Sequence, residues 1–306
     1  MKKLLIFLLM LLPVLLSACG KTEEIPEETE AAMETEAETA GMSAGTETLA
    51  PETLRYVSLG DSIARGYGLA NPKTEAYSSV LAASVEESGK TMVSRNFGVD
   101  GQDSTQLAAY ILNNSAIPEE LADADYVSIS IGANNFLGDA FDFLGTCQDF
   151  KTNPSTRLTS EDVSEAFRQF NADVAEGVER LREDIPQIIG NIRASNEDCE
   201  ILFLTCYNPY AAVNVTLDWG GVMPVNFAAL ADSSVTQMND VIRELADEYG
   251  YTVAEVYAAF EGKTDRLVNA APVEEGGTFD SNAIDPHPNK NGHAVFADVL
   301  FEIIKK

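Results

Sequence analysis

Five short apolar runs punctuate the chain, at Arg55 to Leu59, Thr91 to Phe97, Asp125 to Ile131, Glu200 to Thr205 and Tyr251 to Val256. Each is nearly continuous in apolar and β-branched residues, the pattern of central strands covered on both faces. Between them, apolar positions at three- and four-residue spacing predict helices near 75–88, 103–114, 160–195 and 230–249, with a last one near 289–305. The longest opens on Thr159-Ser160-Glu161-Asp162, a capping hydroxyl followed by acids. It then repeats Val163, Phe167, Phe170, Val174, Val178, Leu181 and Ile185 along one face, a stripe that serves packing rather than chemistry. Pro186 is expected to kink or split this helix, because it lacks the N–H that the ladder needs. Strand–helix alternation predicts an α/β domain, with a parallel five-stranded sheet wrapped on both sides by right-handed crossovers. Two stretches, 136–159 and 207–229, fit no regular element. They follow the third and fourth strands and so are expected to overhang the carboxyl edge of the sheet as pocket walls.

The ends of the chain are made differently. Met1-Lys2-Lys3 precedes an apolar run from Leu4 to Leu16, and these 13 residues suit a signal-peptide core but fall short of the ~20 that span a bilayer. The run closes in Leu16-Ser17-Ala18-Cys19, which resembles the lipobox of bacterial lipoproteins. That resemblance implies a signal peptide over 1–18 and a lipidated Cys19 as the mature N-terminus, anchoring the protein to a membrane outside the cytoplasm. Residues 20–53 hold ten glutamates against the single Lys21 and no aromatic residue. Such a segment buries too little to offset its ordering entropy, so 19–53 reads as an acidic, disordered tether and 54–306 as the folded domain.

Overall the formal net charge is −29. This excludes nucleic acid as a partner, since phosphate backbones demand basic clusters. It also excludes charge-driven docking on anionic lipid and leaves the acyl anchor as the membrane contact. Beyond Cys19 stand Cys147, Cys199 and Cys206, with no metal-type spacing. Outside the cytoplasm one disulfide is allowed. Cys147 with Cys199 is the pairing expected, and Cys206, at the end of an apolar strand, reads as a buried small hydrophobe.

Chemistry is carried by four short motifs that follow strands or lie near the C-terminus: Gly60-Asp61-Ser62, Asn96-Phe97-Gly98-Val99-Asp100-Gly101, Gly132-Ala133-Asn134-Asn135 and Asp285-Pro286-His287-Pro288-Asn289. In a parallel sheet such strand ends lie side by side. A serine nucleophile needs a base, and His287 is one of only two histidines. It also needs oxyanion donors, which the N–H groups of Ser62 and Gly101 and the amide of Asn134 can supply. Asp61 reads as a loop-bracing hydrogen-bonder, Arg65-Gly66-Tyr67-Gly68 as a mobile loop lining the site, and His293 as a structural residue of the last helix.

In order and surroundings, Ser62, Gly101, Asn134 and His287 closely resemble the SGNH hydrolases, or GDSL-type esterases and lipases, across essentially the whole domain. The resemblance implies a three-layer α/β/α, flavodoxin-like fold and hydrolysis of acyl or acetyl esters through an acyl-serine intermediate. It implies no metal and no organic cofactor, and the chain is read as a monomer acting on an ester of a lipid or an acetylated carbohydrate. Three departures stand out. Ile63 replaces the leucine of the family motif, and Asn135 stands where many members carry Asp. Ile284 occupies the usual place of the acid, three residues before His287, while Asp285 stands two before it. An extended backbone puts residues i and i+2 on one face, which would bring Asp285 to the imidazole. Asp280 or a backbone carbonyl are the alternatives. An α/β-hydrolase is excluded because G-x-S-x-G fails at Ala64. A solute-binding lipoprotein without catalysis is the competing reading from another class.

Overall fold

The computed structural model describes residues 52–136, 160–213, 216–217, 225–273 and 285–306. The signal peptide, Cys19, almost all of the tether, Cys147 and Asp280 lie outside the described residues.

Strands β1 (Thr53–Gly60), β2 (Thr91–Gly98), β3 (Tyr126–Ser130), β4 (Glu200–Leu204) and β7 (Thr252–Ala254) form one sheet, while β5 (Thr216–Leu217) and β6 (Val225–Asn226) make a separate antiparallel pair. The order in the main sheet is β2-β1-β3-β4-β7 and every neighbouring pair is parallel. Since β1 leads outward to β2 and the chain then returns to β3 on its other side, the winding reverses at β1. Open α/β sheets leave a crevice at that switch point, beyond the carboxyl ends of the strands. The register aligns Gly60 with Gly98 on one side and Ser130 on the other, so three loops leave the sheet together.

Residues alternate across the sheet, as period-two side chains must. Val57, Leu59, Val127, Ile129 and Phe203 enter a core with buried residues of helices α3 (Ser104–Asn113), α4 (Ser160–Ser195) and α5 (Phe227–Glu244). Leu54, Tyr56, Leu202 and Leu204 enter a second core with those of α2 (Tyr77–Glu87) and α6 (Lys290–Ile304). This is the α/β/α arrangement. Two serines inside the sheet are satisfied locally: Ser58 Oγ pairs with the Tyr77 hydroxyl at 2.8 Å, and Ser128 Oγ accepts from the Tyr56 hydroxyl at 2.6 Å. A buried polar group needs such a partner to avoid an uncompensated desolvation cost.

Several expectations are corrected. Pro186 does not split the long helix, which runs unbroken from Ser160 to Ser195. Leu181, Ile185, Ile188, Ile189 and Ile192 are all buried along it, and that packing carries the helix past one missing N–H. Residues 207–229 are not wholly irregular, since they hold β5, β6 and the first turn of α5, which Asn226 caps by accepting from Ala229 N–H at 2.9 Å. Thr53, assigned to the tether, is the first residue of β1. Cys199 is a buried free thiol against the Arg193 guanidinium, and its expected partner, Cys147, lies outside the described residues. Cys206 lies past the end of β4 rather than within it, partly buried, packed against the main core and lining a cavity.

Candidate active site

Ser62 opens helix α1 (Ser62–Arg65) directly after β1, with Asp61 as its N-cap. The Asp61 side chain accepts from Ile63 N–H at 2.9 Å, an ordinary use of a capping carboxylate. Helix α1 rests on β2 at Gly98, where an added Cβ would stand 2.3 Å from Arg65 N. Only glycine allows that approach. Asn96 secures the same contact by donating from Nδ2 to Ala64 O at 2.6 Å. The motif around Asn96 and Gly98 thus seats the helix that carries Ser62.

Four strand-end and C-terminal segments meet here. His287 Nε2 lies 3.0 Å from Ser62 Oγ, and His287 Nδ1 lies 2.5 Å from Asp285 Oδ1. A carboxylate only accepts, so the ring proton belongs on Nδ1 and Nε2 is left to accept from the serine hydroxyl. Asp285 reaches the ring by a route other than the extended one expected. Its Oδ1 also accepts from the backbone N–H of His287 at 3.0 Å, closing a turn of Asx type in which acid and imidazole belong to one local ring. The other carboxylate oxygen, Oδ2, accepts from Asn269 Nδ2 at 3.0 Å. Asn269 N–H donates to His287 O, and the Tyr207 hydroxyl donates to Pro286 O at 2.6 Å, so the whole 285–287 segment is braced. Sequence reading missed Asn269, and no local motif marks it. The antiparallel bridge of Val268 with Pro288 brings it there.

Asn134 lies in a 3-10 turn after β3. Its Nδ2 donates to Gln102 O at 3.0 Å and stands 3.5 Å from Asp61 Oδ2, linking the loops that follow β1, β2 and β3. Gly101 occupies the third position of the turn closed by Gln102 N–H on Val99 O. Its φ of +72° calls for glycine, and an added Cβ there would meet open space. Asn135, next in sequence, is buried and fully employed. Its Nδ2 donates to Ser104 Oγ (2.7 Å) and Gly177 O (3.0 Å), and its Oδ1 accepts from Ser104 N–H (3.0 Å). Ser104 Oγ in turn donates to Asp184 at 2.6 Å. A carboxylate at 135 could not donate, and in this chain Asp184 supplies the acid from α4.

Burial decides the electrostatics around Ser62. Asp61 is 2% exposed, and burial pushes its pKa up from 3.8 to about 7, against the backbone N–H groups of Ile63 and Ala64 and with help from Asp100. Burial and Asp61 together push the Cys206 thiol up to about 12, so it lines the site as a neutral group. His293 is buried inside α6, accepts from Tyr77 N–H through Nδ1, and is pushed by burial down to about 4. It takes no part in the site. Among the described residues, no group of three or more His, Cys, Asp or Glu side chains is placed to hold a metal.

Ser62 and His287 open into a cavity of about 100 Å³. Its walls are apolar: Phe136, Phe170, Phe227, Leu230, Val235 and Met238 line it. Tyr207 and Tyr210, from the segment expected to form a wall, line it too, whereas Trp219 and Met223 lie outside the described residues.

A sequence model of the GDSL-like lipase/acylhydrolase family matches residues 58–295. An uncharacterized protein of Bacillus subtilis, YpmR, is 26% identical over 263 residues, 85% of each chain. Among solved structures, an extracellular lipase from Streptomyces rimosus is similar with 20% identity and a TM-score of 0.54, covering 81% of this chain and 98% of that one. Phospholipase A1 from Streptomyces albidoflavus is similar to the same degree, 20% and 0.54, over 80% of this chain and 97% of its own. At such identities the structural likeness speaks to the fold.

Proposed function

The chain belongs to the GDSL-like lipase/acylhydrolase family, and from that premise we propose an ester hydrolase that works through an acyl-serine at Ser62, outside the cytoplasm, tethered by a lipidated Cys19. The observation that carries the mechanism is the relay Asp285 Oδ1, His287 Nδ1, His287 Nε2, Ser62 Oγ, with gaps of 2.5 and 3.0 Å. As Ser62 Oγ bonds to the ester carbonyl carbon, its proton passes to His287 Nε2, and Asp285 holds the resulting imidazolium. The carbonyl oxygen becomes an oxyanion, for which Ser62 N–H, Gly101 N–H and Asn134 Nδ2 are the donors. Collapse breaks the bond to the alkoxy oxygen, which leaves as the alcohol with the proton from His287. Water then repeats the sequence in reverse on the acyl-serine, releasing the acid and restoring Ser62.

The apolar cleft beside Ser62 favours an acyl chain of several carbons over acetyl, since each buried methylene contributes about 0.8 kcal/mol. The lipobox-like Cys19 and the acidic tether support the location. A fluorophosphonate probe should label the protein at Ser62 and leave Ser62→Ala unlabelled; an unlabelled wild type would overturn the reading and favour the solute-binding alternative. In a series of p-nitrophenyl esters, kcat/KM is expected to rise from acetyl towards octanoyl. A maximum at acetyl would assign the site to deacetylation instead. Radiolabelled palmitate incorporation that disappears in Cys19→Ser tests the anchor.

A further inference from the structure

Tyr67 is a large side chain left about half exposed (49%), yet its ring is not idle. It lies against the imidazole of His287, with centroids 4.5 Å apart and planes tilted by 40°. The chain leaves α1 through Gly66 in a left-handed conformation, and the N–H groups of both Gly66 and Tyr67 donate to Ser62 O at 3.0 and 2.9 Å. Tyr67 is therefore carried by the same turn as the serine. That turn presents a hydroxyl to the edge of the imidazole and an aromatic ring to its face. Gly68 continues the strap past Asn269 and Asp285, where a Cβ would stand 3.4 Å from Asn269 Nδ2 and 3.8 Å from Asp285 Oδ2.

The hydrogen bonds of His287 all act in the ring plane or on the backbone, and they say where Nδ1 goes. Both ring nitrogens lie off the Cβ–Cγ axis, so these bonds limit rotation about it, but the torsion itself has a broad minimum. A contact on the ring face narrows that range further. It also acts selectively in time. The face of an aromatic ring attracts a cation, and the imidazole is a cation only after it has taken the serine proton. Such a contact is stronger in the transition state than in the ground state, so it raises kcat and leaves KM alone.

We propose that Tyr67 is a positioning residue for the hydrolysis: its ring helps to fix the plane of His287 between Asp285 and Ser62 and stabilises the imidazolium formed during attack. The inference rests on the acyl-serine reading above. The test compares Tyr67→Phe and Tyr67→Leu with wild type in three measurements: the rate of fluorophosphonate labelling at Ser62, kcat and KM for a short p-nitrophenyl ester, and thermal melting as a control. Tyr67→Phe should stay within about twofold of wild type. Tyr67→Leu should lose about two- to fivefold or more in kcat and labelling rate, the range expected for an exposed cation–π contact, with KM and melting unchanged. Leucine performing as well as tyrosine would overturn the proposal, as would phenylalanine falling as far as leucine or a loss confined to KM. Absence of labelling in the wild type would overturn the acyl-serine reading together with it, whereas equal labelling of wild type and Tyr67→Leu would overturn the role of the ring alone.

Discussion

Replacing Asp61 by asparagine should shift stability in favour of the variant, relative to wild type, as the pH rises. Asp61 is 2% exposed, and burial raises its pKa from 3.8 to about 7. Between those values the folded chain keeps a proton that the unfolded chain has released. Stability therefore falls as the pH climbs through that window, and the loss levels off above about 7. A gap of about three pH units corresponds to roughly 4 kcal/mol in full, of which more than half develops between pH 5 and pH 8. Asparagine keeps the cap, because its Oδ1 can accept from Ile63 N–H as the carboxylate does. Its amide would meet Asn134 Nδ2 across the present 3.5 Å gap, a cost that does not depend on pH and cancels between conditions. Urea unfolding of wild type and Asp61→Asn at both pH values is the assay. The stability of the variant relative to wild type should shift in its favour by roughly 2–3 kcal/mol between pH 5 and pH 8. Parallel stability profiles would refute the reasoning, because they would mean that Asp61 titrates alike in the folded and unfolded chains.

Three further outcomes follow from the packing. Asn134→Ala should cut kcat by about 10² to 10³ with the fold intact, as loss of one oxyanion donor does, read by ester hydrolysis beside circular dichroism. Asn135→Asp should cost about 1–3 kcal/mol in urea unfolding, because it removes the donors to Ser104 Oγ and Gly177 O and brings a second acid to Ser104 beside Asp184. Ala231→Phe, filling the cleft, should lower kcat/KM for octanoyl esters about tenfold or more while sparing the acetyl ester, as the series of chain lengths would report.

The strands and the longer helices were legible because each buries a continuous or periodic apolar face. The five runs that read as strands are the five strands of the main sheet, and the stripe along 160–195 is one helix. Pro186 misled because one missing hydrogen bond is a local matter, whereas the burial of Ile185, Ile188 and Ile192 is set by the sheet beneath them. The site was legible where one residue announces itself in a turn: Ser62 after Gly60-Asp61, Asn134 after Gly132, His287 between prolines. It was illegible where the contact spans the fold. Asn269 reaches Asp285 only through the bridge of Val268 with Pro288, and Tyr67 reaches His287 only because α1 folds back on its own carbonyl. Neither pairing leaves a spacing to read. The pocket walls were placed by the order of the strands, yet Phe170 entered from the stripe of α4 read as packing, and Met238 from α5.

The two-residue spacing of Asp285 and His287 has a consequence for how this molecule is put together. Because one carboxylate oxygen holds both the backbone and the ring of the same histidine, the tautomer is set within three consecutive residues. The pair behaves as a cassette. Distant parts of the fold, Asn269 and Tyr207 among them, brace the pair and deliver it to the serine without having to supply the acid. A change in the walls of the cleft, at Phe170, Leu230 or Met238, would therefore alter what the site accepts without disturbing the relay.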